Sequence, residues 1–167
     1  MRFAYLAALG CCLISFISIS AEANDTIGSF RFIEKKDGVT DEDRSLIVTY
    51  SPGEDTRLSW RCRGPDLEAL TDIGQYMVGD NYDVSVRYRV DKSLPSPLQS
   101  WALSSENDAA FVPDSEVPEF TRQAISGKTI VIGVTDLFDG AEVQHEFDLS
   151  GLGAAIKMLP CFRGFAQ

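Results

Sequence analysis

A period-two alternation of apolar and polar residues is the pattern that most restricts the fold of this chain. It is cleanest over 82–90, where every second residue from Tyr82 to Val90 is apolar. Successive side chains of a strand point to opposite faces of its sheet, so this spacing is typical of half-buried strands. Further short strands are predicted from the same pattern around 30–33, 46–50, 58–63, 101–103 and 143–149.

Two short helices are predicted among these strands. The first runs from about Ser115 to Ile125, with Pro118 in its first turn, where a missing N–H costs little. The apolar segment 129–135 follows as a central strand, and Ser150 is predicted to cap a last short helix. We therefore predict an α+β fold, an antiparallel β-rich single domain whose sheet is curled or forms a small sandwich.

The first 23 residues have a different character from the rest. Arg2 precedes an apolar run, and Ala21-Glu22-Ala23 provides an A-x-A cleavage site, so 1–23 is predicted to be a secretory signal peptide. A membrane anchor is the alternative, but an apolar run of about 17 residues is at the lower limit for spanning. Lipidation at Cys11 is a third and weaker interpretation. We expect 24–167 to form one periplasmic or secreted domain, with no stable membrane insertion after cleavage.

Cysteine usage agrees with export. Removal of 1–23 leaves Cys62 and Cys161, and exported compartments oxidise such pairs to disulfides. This bond would close a loop of about 100 residues, for which the chain-entropy model gives roughly 4.7 kcal/mol. The alternatives are two unrelated buried thiols or a zinc site, and two cysteines with one distant histidine are a poor ligand set. We predict the Cys62–Cys161 disulfide.

The net charge restricts the partners. The chain has 15 Lys and Arg against 25 Asp and Glu, a formal charge of −10. A nucleic-acid binder needs cationic surface to displace counterions, and anionic membranes repel an acidic protein. We therefore expect a protein or an envelope glycan as partner, and no nucleic acid. A basic protein is a further candidate, because opposite charge accelerates encounter.

Catalytic and cofactor motifs are not evident. His145, the one histidine, lies among apolar strand residues and is predicted to be half-buried and structural. There is no G-x-S-x-G motif, and Gly151-Leu152-Gly153 lacks the third glycine of a dinucleotide site. We predict no catalytic residues, no cofactor and no metal. A hydrolase with two distant carboxylates stays open as a weaker alternative.

Acidic residues cluster at three places, 37–43, 80–83 and 136–139. None of them has the alternating oxygen ligands and closing glutamate of a calcium loop. We interpret all three clusters as solvated turns, and Asp139-Gly140 in the last one also predicts a hairpin.

Arginines on strands are the most informative polar feature. Arg61 and Arg63 alternate on one predicted strand, and Arg87 and Arg89 on another. If these strands pair, four guanidinium groups gather on one surface, where they could bind carboxylates or phosphates bidentately. The alternative is cross-strand ion pairing with Glu142, Glu146 or Asp148. We take the four arginines as candidate partner-binding residues.

Several segments occur in a familiar order: 58–62 with its cysteine, 86–91, Trp101, 147–152 and Cys161. This order resembles the VasI-like family of small exported proteins associated with bacterial type VI secretion. In that family a strand cysteine, a Y-R-x-D strand, a tryptophan strand and an F-D-L-S-G-L helix entrance follow one another. The resemblance implies an envelope location, a disulfide-stapled β-rich domain and a non-catalytic accessory role.

Two functions are therefore weighed. The first is an exported envelope binding or accessory protein that presents a rigid sheet surface to its partner. The second is an inhibitor of a basic envelope enzyme such as a lysozyme, a task that suits a small acidic disulfide-stapled domain.

Overall fold

The computed structural model describes residues 25–53 and 55–164, so the predicted signal peptide with Cys11 and Cys12 lies outside the described residues. Within these ranges the chain forms ten strands, two α-helices and a final 3-10 turn. The strands are β1 (Thr26–Ile27), β2 (Phe30–Ile33), β3 (Leu46–Tyr50), β4 (Arg57–Arg63), β5 (Asp66–Asp72), β6 (Asp83–Val90), β7 (Gln99–Leu103), β8 (Ala109–Phe111), β9 (Thr129–Thr135) and β10 (Glu142–Asp148). The helices are α1 (Val117–Ser126) and α2 (Leu152–Ala155), with the 3-10 turn at Ile156–Met158.

All strands belong to one antiparallel sheet in the order β1-β2-β3-β4-β5-β8-β7-β6-β9-β10. The sheet is not closed, but it curls until its last strand approaches its first ones. Thr49 Oγ1 of β3 donates to the carbonyl oxygen of Asp148 at 3.2 Å. Ser29 Oγ, between β1 and β2, donates to the same oxygen at 2.9 Å. The right-handed twist that accumulates over many strands produces this curl, and the prediction of a curled β-rich α+β domain is confirmed.

An aromatic cluster fills the concave side of the sheet, where α1 packs. Phe120 of α1 lies with its ring centroid 5.7 Å from Trp60, 5.7 Å from Trp101 and 5.0 Å from Tyr88. Both tryptophans are fully buried. Trp60 Nε1 donates to Thr121 Oγ1 at 2.9 Å, so the buried indole N–H is satisfied. Aromatic side chains with such large buried area dominate the stability of a core this size.

The disulfide joins the end of β4 to the segment after the 3-10 turn. Cys62 and Cys161 are bonded, with a Cα–Cα distance of 5.6 Å across a sequence separation of 99. The predicted disulfide is therefore confirmed. It links the middle of the sheet to the end of the described chain, which contributes α2 and the buried Leu159 to the core.

Two local predictions were wrong. Ser150 does not cap α2; Gly151 occupies that position with φ +88°, and its Cα approaches β1 so closely that a Cβ would lie 2.5 Å from Ile27 O. The backbone N–H of Ser150 is held by the Asp148 carboxylate at 2.7 Å instead. Tyr82 is not the first inward residue of β6, which begins at Asp83; its φ is +66° and its side chain is exposed.

Candidate functional site

The four candidate arginines do not form one surface. Arg61 and Arg63 lie on β4, whereas Arg87 and Arg89 lie on β6, and β5, β8 and β7 separate these two strands in the sheet. β4 and β6 therefore do not pair, and the predicted cluster of four arginines does not form. Each pair has its own surroundings.

Arg61 and Arg63 belong to a larger cationic groove on the outward side of β3, β4 and β5. Residues at alternate positions of β4, from Arg57 through Ser59 and Arg61 to Arg63, point outward into it. The groove has a volume of about 630 Å³, and we call it the arginine groove. Its charged lining consists of Lys35, Arg44, Arg57, Arg61 and Arg63 with Glu42, Glu68 and Asp72.

Two of these lining residues form the centre of the groove. Glu68 of β5 pairs with Arg61 of β4 in the antiparallel register, which puts the carboxylate between two guanidinium groups. Its oxygens lie 2.7 Å from Arg61 Nε and 2.8 Å from Arg63 Nη1. Glu68 is buried, and a buried carboxylate needs such charged partners. The predicted alternative, pairing of these two arginines with Glu142, Glu146 or Asp148, does not occur, because β4 pairs with β3 and β5 and not with β10.

Further contacts orient the same guanidinium groups. Arg57 Nε donates to Asp72 Oδ2 at 2.5 Å, a hydrogen bond that raises the pKa of the already cationic Arg57. Arg63 Nη2 also reaches Asp114 Oδ2 at 3.1 Å. Arg61 Cζ lies 5.2 Å from the centroid of the Phe111 ring, at cation–π distance. Each guanidinium carries five N–H donors, and Arg57 and Arg61 use only Nε in these ion pairs, so both keep further donors for a partner.

The side chains of this cluster are only partly covered. The exposed fraction is 49% for Arg57, 40% for Arg61 and 56% for Arg63. The lining has five cationic and three anionic side chains, and Asp37 and Asp114 beside it pair with Arg44 and Arg63 at 3.0 Å and 3.1 Å. The groove is therefore a cluster of ion-paired guanidinium groups on a chain whose net charge is −10. Sequence analysis missed Lys35, Arg44 and Arg57. The period-two spacing of Arg57 with Arg61 and Arg63 is the signal that could have identified Arg57.

Arg87 and Arg89 form a second and simpler surface. Both are exposed on the outward face of β6, opposite Gly133 and Val131 of β9. Within residues 25–53 and 55–164 neither arginine forms an ion pair. Since Gly133 has no side chain, the two guanidinium groups border a shallow depression there. They stay candidate contact residues, but without the acidic partners that orient Arg61 and Arg63.

His145 is more buried than predicted, and its contact is with the backbone. Only 8% of it is exposed, and its Nε2 donates to the Ile73 carbonyl oxygen at 2.8 Å. The interaction links β10 to the end of β5.

Among the described residues no group of three or more His, Cys, Asp or Glu side chains could hold a metal ion. In the same part of the chain, no helix is both long and apolar enough to cross a membrane.

Asp136 corrects the interpretation of the acidic clusters as solvated turns. It is buried, and its carboxylate accepts hydrogen bonds from the backbone N–H groups of Val78, Gly79 and Phe138. Burial alone would raise the pKa of Asp136, but these N–H groups stabilise the anion and hold the pKa below its ordinary value. Asp136 is therefore a structural anion that joins two loops.

The residues behind the VasI-like resemblance occupy structural positions. Asp91, which ends the Y-R-x-D segment, accepts hydrogen bonds from Lys128 N at 3.0 Å and Thr129 N at 2.9 Å. These bonds lower its pKa. Trp101 is in the core, and Cys62 is in the disulfide. These positions determine the fold and do not by themselves assign an activity.

The fold is a curled antiparallel sheet with α1 packed on its concave side and one disulfide, and its most developed polar site is the arginine groove.

No protein-family model and no curated protein sequence matches the chain. Among solved structures, the chain is similar to the crystal structure of invasion associated protein B from Bartonella henselae. The TM-score is 0.54 at 12% sequence identity, over 81% of this chain and 92% of that chain. At this identity the likeness shows a shared fold and nothing more.

Proposed function

We propose that this chain is a non-catalytic binding or accessory protein of the bacterial cell envelope, and that it holds an acidic partner in the arginine groove. The observation that carries the proposal is the cluster of four oriented and partly exposed guanidinium groups in this groove on an otherwise acidic protein. Guanidinium groups favour carboxylates because the planar fork donates two parallel hydrogen bonds. The partner is therefore a protein or an envelope glycan that presents carboxylates.

The internal acids of the groove support a binding role. Glu68 and Asp72 hold Arg61, Arg63 and Arg57 in fixed orientations before any partner arrives. A partner then gains hydrogen bonds without ordering long side chains, which otherwise costs about 0.5–1.5 kcal/mol for each one. The groove thus has the preorganisation that distinguishes a contact surface from scattered surface charge.

Two features support the envelope location. The protein contains the Cys62–Cys161 disulfide, and disulfides persist in oxidising compartments but are uncommon in the cytosol. The sequence of 1–23 has the pattern of a secretory signal peptide. The VasI-like resemblance makes a type VI secretion machine the first place to look for the partner.

The groove can be tested with a defined anion, an octaglutamate peptide titrated into the purified oxidised protein. We expect Arg57→Gln with Arg63→Gln to weaken binding about tenfold or more. The matched control is Lys92→Gln with Lys157→Gln, which removes the same charge from exposed positions outside the groove. Equal loss in both double variants would assign the effect to net charge and contradict the proposal.

The same titration separates the two arginine surfaces. Arg87→Gln with Arg89→Gln should leave octaglutamate binding within about twofold of the wild type, since those side chains lie outside the groove. A larger loss there, with the groove variants unaffected, would transfer the contact surface from β4 to β6.

A further inference from the structure

Three loops meet at one end of the sheet, next to the strand ends of β5, β6 and β9. Backbone hydrogen bonds join the first two, from Ile73 N to Asp108 O at 2.7 Å and from Met77 N to Asn107 O at 2.9 Å. The Asp136 carboxylate joins the third to the first through Val78 N and Gly79 N. We call this region the loop end, and it comprises the segments 73–83, 104–108 and 135–142.

The loop end exposes large apolar side chains in an unusual number. A single exposed apolar residue is ordinary, but several at one place mark an interaction surface. Phe138 is 75% exposed, Tyr82 is 74% exposed and Tyr76 is 68% exposed. Val78 and Leu137 are exposed in the same segments. Aromatic side chains of this kind supply much of the binding energy in protein interfaces.

These side chains stand on an ordered base. The buried carboxylate of Asp136 fixes the loop before β6 and the turn before β10 in one arrangement. Met77, between two exposed residues, is fully buried and anchors the first loop in the core. Tyr82 holds a left-handed φ of +66° although its exposed ring gains little packing in return. Strained backbone of this kind concentrates at functional sites.

The charge of the loop end indicates which kind of partner could bind there. The three segments contain seven acidic residues and no Lys or Arg: Asp80, Asp83, Glu106, Asp108, Asp136, Asp139 and Glu142. A second copy of this chain, or an anionic membrane, would place like charges against one another. A protein surface with basic residues around an apolar centre is complementary in both respects.

We propose that the loop end is a docking surface for a second protein, one whose contact face is apolar at the centre and basic at the rim. The surface is distinct from the arginine groove and, unlike it, contains no Lys or Arg. The protein would therefore connect an acidic partner in the groove to a basic partner at the loop end.

The test is site-specific photocrosslinking of the full chain, oxidised and added to an envelope extract. Benzoylphenylalanine replaces Phe138 in one variant and Leu94 in the control, because Leu94 is 91% exposed on a loop outside the three segments. We expect one discrete protein adduct at position 138 and none at position 94. Mass spectrometry should show an excess of Lys and Arg at the crosslinked face. Asp80→Lys with Asp139→Lys should reduce the adduct about tenfold, while Arg57→Gln with Arg63→Gln should leave it unchanged.

Other outcomes overturn the proposal. No adduct, equal adducts at positions 138 and 94, or an adduct unaffected by charge reversal removes the docking surface. A dimer of this chain, a lipid adduct or an acidic crosslinked face contradicts the assigned partner. Circular dichroism of the charge-reversed variant excludes unfolding as the cause of a lost adduct, since both substituted side chains are exposed. Loss of octaglutamate binding with retention of the adduct would reject the groove and keep the loop end.

Discussion

Single residues decide how the loops of this protein are held, and Asp136 is the clearest case. Its position in an acidic cluster predicted a solvated turn, yet it is buried and its partners Val78 and Gly79 belong to a different loop. A sequence pattern shows the neighbours of Asp136 along the chain, but it does not show that a hydrogen-bond donor 58 positions away reaches its carboxylate. The same limit applies to Glu68, whose burial depends on arginines of the adjacent strand.

Asp136→Asn should destabilise the protein by about 2 kcal/mol, because an amide oxygen accepts more weakly than a carboxylate from three backbone donors. Since the folded-state pKa of Asp136 lies below its unfolded value, the contribution of its ionisation is full above the unfolded pKa of about 3.9 and is lost as the pH falls through the folded pKa. Urea unfolding at about pH 7 and about pH 3 should show a smaller acid-induced loss in the variant than in the wild type. Equal losses would contradict this role for the carboxylate.

Tyr82→Gly should raise the free energy of unfolding by about 1 kcal/mol, because glycine adopts the left-handed φ of +66° without a Cβ clash. Tyr82→Ala is the matched control, since it removes the ring but keeps the Cβ and should not give this gain. The measurement is chemical denaturation of both variants. A glycine variant less stable than the alanine variant would show that the backbone at this position is not strained.

At the scale of elements, the strands with regular alternation were predictable and the irregular ones were not. The runs through β3, β4, β6 and β10 place apolar residues at every second position, and the structure has strands there. β5 was not predicted because its apolar residues Ala69 and Leu70 are adjacent, which breaks the alternation, and the buried position 68 holds a glutamate. β8 has three residues and lies between β5 and β7, so its pairing rather than its sequence makes it a strand.

Removal of the disulfide should weaken the link between β4 and the end of the described chain. Cys62→Ser with Cys161→Ser is expected to lower the free energy of unfolding by about 3–5 kcal/mol, because the unfolded chain regains the entropy of a loop of roughly 100 residues. Guanidinium unfolding with and without dithiothreitol checks this. The reductant should lower the stability of the wild type and leave the double variant unchanged; an effect on the double variant would point to another cause.

The pairing of β4 with β5 gives a prediction that joins stability to binding. Glu68→Gln removes the carboxylate between Arg61 and Arg63, so it should lower the free energy of unfolding by about 1–3 kcal/mol. The glutamine oxygen still accepts a hydrogen bond from a guanidinium group and keeps its orientation, while one positive charge loses its anionic partner. Octaglutamate binding should therefore tighten, by about fivefold for a gain near 1 kcal/mol. Glu106→Gln is the control, because Glu106 is exposed and lies outside the groove lining. An unchanged or weaker affinity for Glu68→Gln would contradict anion binding at this site.

For the whole molecule, net charge describes the protein poorly. The formal charge of −10 made a basic protein one candidate partner and gave no indication of an arginine groove. The curled sheet separates charge by position, with a cluster of arginines on the outward side of β3–β5 and only acidic charges on the loop end. This separation arises from the strand order. The arginine spacing alone allowed β4 and β6 to be neighbours, but three other strands lie between them. Composition therefore indicated the net charge of the protein, whereas the strand order determines which charged residues share a surface.

The most direct test of a binding role in the envelope is sedimentation of the purified oxidised protein with a bacterial envelope fraction. We predict that the wild type is retained at about 50 mM NaCl and released at about 300 mM, since screening weakens contacts between charged groups. Arg57→Gln with Arg63→Gln should reduce retention, the remainder being the share bound through the loop end, and Lys92→Gln with Lys157→Gln should not reduce it. Retention of the groove variant equal to that of the wild type would contradict the proposal that the arginine groove holds the envelope partner.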